Sequence, residues 1–139
     1  MARNRFVAEV LTPEGEVFNE EIEMLSTRTT IGSIGLLANH EPLLARLEPA
    51  ELRLYRSETE IVRYAQAEGY VQFAENRALV LVEEALDPAR LNAAELTERV
   101  EAARRAGEAA PPGSEEAARA ARDRRRAEAF LAIAAGPQR

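Results

Sequence analysis

The chain has 139 residues, a net charge of −6 and a pI of about 5.0, with 46% hydrophobic and 30% charged residues. That length and balance suit one compact domain with room for an appendage, and differ from the signature of a disordered chain. All eighteen basic residues are arginine, there is no cysteine or tryptophan, and His40 stands with only four serines. Thiolate chemistry, a P-loop lysine, a Schiff base and nucleic-acid binding as the main role are thereby excluded, and a nucleophile–base pair has little material.

The first 86 residues carry fifteen acids against eight arginines and most of the β-branched and aromatic residues. Phe6, Ala8 and Val10 alternate onto one face, and Leu11-Thr12-Pro13-Glu14-Gly15 follows as a turn in which Pro13 presets φ and Gly15 permits a positive φ. Further strand-like runs cover 17–25, 43–47, 52–55, 61–66, 70–74 and 78–82. In the fifth of these, Val71 and Phe73 share one face and Tyr70 and Gln72 the other. Strands at a spacing of about ten residues predict an antiparallel sandwich or barrel over 1–86. Gly32 and Gly35 read as turn glycines between strands.

From Asp87 the period changes, and alanine supplies 17 of the last 53 residues. Asn92 and Glu95 form a capping-box pattern ahead of the stripe Leu96, Val100, Ala103; Asp87-Pro88 is an alternative start, and Gly107 a candidate terminator. Pro111 and Pro112 interrupt the pattern; Ser114 can cap a second helix led by Glu115 and Glu116 and closed by Gly136-Pro137. The expectation is an α+β chain: the sandwich over 1–86, then over 87–139 an antiparallel hairpin with helices near 88–106 and 114–135 and a linker at 107–113. Ala120, Ala127, Leu131 and Ala134 line one side of the second helix, and so thin an apolar seam predicts a weakly held, movable appendage.

Gly32-Ser33-Ile34-Gly35 matches neither a phosphate loop nor a nucleophile elbow, and His40 lacks a second histidine with which to share a metal. A small hydrolase would need Ser33 and His40 within hydrogen-bond reach of each other and of an orienting acid. Around Asp123, Arg122, Arg124, Arg125 and Arg126 make a basic run suited to carboxylates or phosphates, or else simply a solvated face.

Taken in order, three blocks resemble the epsilon subunit of F-type ATP synthase across essentially the whole chain: 11–18 with its Thr12-Pro13 turn; Gly32-Ser33-Ile34-Gly35-Leu36-Leu37-Ala38-Asn39-His40-Glu41-Pro42-Leu43-Leu44; and Leu47-Glu48-Pro49. Glu68-Gly69-Tyr70 stands where that family has a Gly-Gly pair, and Ala50 where it commonly has a glycine. Leu86-Asp87-Pro88-Ala89-Arg90 resembles its Asp-x-x-Arg motif.

The resemblance implies a non-catalytic rotor subunit without its own active site. Its sandwich would dock on the gamma subunit and the membrane rotor ring through the segment from Gly32 to Pro42, with Gly32, Gly35, His40 and Pro42 as contacts. The hairpin would extend along gamma to brake ATP hydrolysis, Arg122, Arg124, Arg125 and Arg126 meeting acidic segments of the alpha and beta subunits. Location would be peripheral, on the cytoplasmic face of a bacterial plasma membrane, without insertion. No metal or cofactor is expected, save a regulatory ATP that some relatives bind on the hairpin. Asp87, Arg90 and Arg126 match that site, whereas Leu91 replaces its alanine and Phe130 its second arginine. The competing reading is a stand-alone β-sandwich module with an arginine-rich hairpin.

Overall fold

A computed structural model describes residues 3–136, which divide into two compact units between Asp87 and Pro88. The first unit holds ten strands: β1 (Phe6–Thr12), β2 (Gly15–Ile22), β3 (Met24–Thr29), β4 (Gly32–Leu37), β5 (Leu43–Leu47), β6 (Ala50–Tyr55), β7 (Ile61–Gln66), β8 (Gly69–Ala74), β9 (Arg77–Val82) and β10 (Ala85–Leu86). They pair in the order β10-β7-β6-β3-β5-β8-β9-β1-β2, with β4 on β3. Alternate residues of these strands share one core that includes Phe6, Val10, Leu25, Leu36, Leu54, Val71, Phe73 and Val80. Burying each such side chain contributes about 1.5–3 kcal/mol. Register places Val10 beside Val80 and Val80 beside Val71, so β-branched side chains from three strands form one inward row.

The expected β-sandwich is present, its strands antiparallel except that β1 runs parallel to β9, a long-range closure no local pattern encodes. One local expectation is corrected. Gly32 and Gly35 do not make two turns: both lie in β4, whose register with β3 sets Gly35 against Ser26 and Gly32 against Thr29. Turning is done by Thr30 and Ile31. The Thr29 hydroxyl donates to the Gly32 carbonyl (2.8 Å) and accepts from the Ile31 N–H (3.2 Å), while Gly32 supplies a φ of +136°.

The second unit begins with a 3-10 turn, Pro88–Arg90, followed by α1 (Ala93–Ala109) and α2 (Glu115–Ala134). The first helix thus starts five residues later than the expected 88 and runs three beyond 106. Asn92, in extended backbone, accepts the Glu95 N–H at 3.0 Å and caps the helix there. Gly107 does not terminate it: it lies inside α1, where an added Cβ would stand 3.6 Å from the Ala120 Cβ of the second helix, and Arg104 pairs with Glu108 across it at 3.1 Å; the helix stops at Ala110, the residue before Pro111. The connecting segment is therefore 110–114 rather than 107–113. Ser114 accepts the Ala117 N–H at 3.1 Å, and Glu115 and Glu116 occupy the first turn of α2. Gly136 takes a φ of +110° past the end of α2, and Pro137 lies outside the described residues.

Candidate functional site

The segment foreseen as one docking loop is divided by its own geometry. Residues 32–37 are strand, so Gly32 sits at one end of β4 and the 38–42 loop, with His40 and Pro42, begins about 17 Å away at the other. Ser33 sits about 13 Å along β4 from Leu37, whose carbonyl accepts the His40 N–H at 3.2 Å; a serine–histidine pair is not formed. His40 Nδ1 lies 2.6 Å from the Glu41 carbonyl, which only accepts, so that nitrogen carries the proton. The half-buried ring meets Phe73 edge-on at 5.7 Å, and Phe73 meets Phe6 at 5.4 Å. At the Gly32 end, Ile31 projects from the β3–β4 tip with 96% of its surface exposed.

A second surface escaped the sequence reading. Leu11 pairs with Leu81, Leu81 with Tyr70, and Tyr70 with Arg46, forming a row across β1, β9, β8 and β5 on the outward face. Leu81 and Tyr70 are 45% and 48% exposed, and Leu44, diagonal to Tyr70, is 72% exposed. Leu11, Pro13, Tyr70, Leu81 and Glu83 line an open hollow of ≈ 330 Å³ there. Apolar residues in the outward phase of a strand, where polar ones suffice, were the available signal.

On the hairpin, the four arginines of the basic run do not act as one face. With 100° per residue, Arg122 and Arg126 lie close together, while Arg124 lies about 160° round the helix from Arg122. Arg122 pairs with Glu115 (3.2 Å) and Arg124 with Glu128 (3.3 Å). Arg124 and Arg125 border an interhelical groove of ≈ 510 Å³ with Arg104, Glu108, Ala103 and Ala120. Hydrogen bonding to Arg104 holds the Glu101 carboxyl below the usual range, so acids already occupy much of this basic surface. Of the residues matched to a nucleotide site, Asp87 and Arg90 are exposed and Arg126 is half-buried; Phe130 is completely buried, with Leu96, Ala103, Ala120 and Ala127 the other buried residues among those described in the hairpin.

Among the described residues no group of three or more histidine, aspartate or glutamate side chains could hold a metal ion, and no helix is long and apolar enough to cross a membrane. Fold and surfaces together define a β-sandwich with an outward apolar row, joined to an arginine-bearing helical hairpin. Residues 5–88 match the family model described as ATP synthase, Delta/Epsilon chain, beta-sandwich domain. The chain belongs to that family of ATP synthase delta/epsilon chains. It is 43% identical over 77 residues to the ATP synthase epsilon chain of Persephonella marina, a match spanning 55% of this chain and 57% of that one. With the ATP synthase epsilon chain of Rubrobacter xylanophilus it shares 31% identity over 114 residues, 82% of this chain and 77% of the relative. Its fold matches a chain in the solved OSCP/F1/c-ring structure of the Euglena gracilis mitochondrial ATP synthase, with a TM-score of 0.80 at 17% identity, covering 95% of this chain and 82% of that chain.

Proposed function

We propose that this chain is a central-stalk subunit of a proton-translocating F-type ATP synthase, peripheral to the cytoplasmic face of a bacterial plasma membrane, coupling proton flow to ATP synthesis without an active site of its own. The observation that carries this reading is the match of residues 5–88 to the delta/epsilon β-sandwich family; the outward row Leu11, Leu81 and Tyr70 with Leu44 beside it offers an apolar surface on which a partner can pack. The gamma subunit is its proposed partner. The two ends of β4, with Ile31 and Gly32 at one and His40 and Pro42 at the other, are the proposed contacts toward gamma and the rotor ring.

The hairpin is proposed to restrain ATP hydrolysis by extending toward the alpha and beta subunits. Its seam is built largely from Ala103, Ala120 and Ala127, which bury little area each, so new contacts of modest strength can offset those lost. Arg122 and Arg126, side by side on α2, are the residues proposed to meet acidic segments there; nucleotide is left out of this scheme because Phe130 occupies the place of the second arginine and is buried.

The test is ATP hydrolysis by the cognate complex depleted of this subunit. Added full-length chain should bind and suppress turnover, and the Arg122→Glu/Arg126→Glu variant should bind while suppressing less. Binding by both with no suppression by either would leave a coupling subunit and remove the brake. Failure of the full-length chain to bind would instead favour a stand-alone sandwich module.

A further inference from the structure

One side chain ties together three separate stretches at the His40 end of the sandwich. Asn76 lies in the two-residue turn between β8 and β9, where Glu75 and Asn76 take φ values of 52° and 58°, the left-handed pair that matches the twist of a tight hairpin. Its Oδ1 accepts the Asn39 N–H at 2.6 Å, and its Nδ2 donates to the Arg5 carbonyl at 3.1 Å. Its own carbonyl accepts the Val7 N–H at 3.4 Å. The short bond falls on the residue immediately before His40, and Asn39 itself is left-handed, with a φ of 66°. Phe73, on the strand leading into the same turn, supports the His40 ring.

We infer that Asn76 is the positioning residue for the 38–42 loop: it fixes the backbone ahead of His40 so that His40, Glu41 and Pro42 are presented to a partner in one arrangement. The inference rests on the proposal that this loop is a docking element. A loop already held in its bound form loses less conformational entropy on association, so removing the latch weakens binding without altering any residue that touches the partner. Asparagine suits the position twice over. It tolerates the left-handed turn, and its amide offers one acceptor and one donor to two different chain segments.

Asn76→Gly separates these properties, because glycine keeps the left-handed turn and deletes both side-chain hydrogen bonds. In full-length protein, amide exchange at Asn39 and His40 should accelerate in this variant while Val71 and Val80 stay protected. Affinity for the depleted ATP synthase complex should fall about tenfold. Asn76→Asp retains the acceptor for Asn39 but sets a second acceptor against the Arg5 carbonyl, so it should slow exchange at Asn39 relative to Asn76→Gly and recover only part of the affinity. Unchanged exchange at Asn39 in Asn76→Gly would overturn the latch, and faster exchange with undiminished affinity would overturn its part in docking. Should the wild-type chain fail to bind the complex, the docking reading falls, while the exchange comparison still judges the latch.

Discussion

The guanidinium of Arg56 meets both carboxylate oxygens of Glu20, Nε to Oε1 and Nη2 to Oε2, each at 2.7 Å. Glu20 belongs to β2, at one end of the strand order, and Arg56 follows β6, near the other. The same guanidinium donates to Glu60 at 3.1 Å and lies 6.0 Å from the centre of the Phe18 ring, while the Tyr64 hydroxyl of β7 donates to the Val17 carbonyl of β2 at 3.1 Å. Side chains thus join β2 to the β6–β7 region, between which the strand order has no ladder.

This fork has a pH signature. Hydrogen bonding to Arg56 holds the Glu20 carboxyl below the usual carboxylate range. A carboxyl whose folded value is depressed adds stability that is complete above its unfolded value and lost as the pH falls through the folded one. Arg56→Gln should therefore flatten the acid limb of the stability curve, and added salt should flatten it in the wild type, since the pair is solvent-exposed. Urea midpoints measured across the acid range, with and without salt, check this. Equal acid slopes in the two proteins would remove the fork from the account.

Gly69 and Gly35 make a matched pair with opposite expectations. A methyl group on Gly69 would stand 1.9 Å from the Leu81 carbonyl oxygen and 2.8 Å from the Val82 Cα, so two backbones must part to admit it. Gly69→Ala should cost about 2–3 kcal/mol. Around Gly35 nothing lies within 4 Å of such a methyl and the backbone is ordinary, so Gly35→Ala should change stability by no more than about 0.5 kcal/mol. Chemical denaturation of both variants tests the contrast; a tolerated Gly69→Ala would show that β8 and β9 can separate.

Phe130 marks where the hairpin departs from the nucleotide-site pattern. Because it is fully buried, Phe130→Arg should not simply restore a phosphate ligand. Loss of the ring and burial of a guanidinium should cost the hairpin about 3 kcal/mol or more, reducing helicity without creating ATP affinity. Circular dichroism and calorimetric titration with ATP measure both. Tight ATP binding with helicity retained would show that the site needs only that one arginine.

Much of the architecture is local in origin and was legible as such. Alternation in Phe6-Val7-Ala8-Glu9-Val10 and in Tyr70-Val71-Gln72-Phe73 reports strands with one buried face, and Asn92 and Ser114 cap their helices through oxygens three residues from the N–H they bind. Local cues also compete with one another. Asp87-Pro88 reads as a helix start, but the chain makes a 3-10 turn and Asn92 caps instead; Gly107 reads as an end, but α1 continues through it to Ala109 and stops ahead of Pro111.

By itself the sequence determined the change of period near Asp87, the sandwich and hairpin that follow from it, and the motif blocks of the family, because each depends on neighbours within a few turns or strand steps. Only the tertiary structure decided which outward residues share a surface. The parallel pairing of β1 with β9 sets Leu11 beside Leu81, and β8 then brings Tyr70 to them; the β8–β9 turn brings Asn76 to Asn39 from 37 positions away. Such contacts arise from strand register, which is set by burying the opposite face of every strand at once, and no local stretch of chain carries that information.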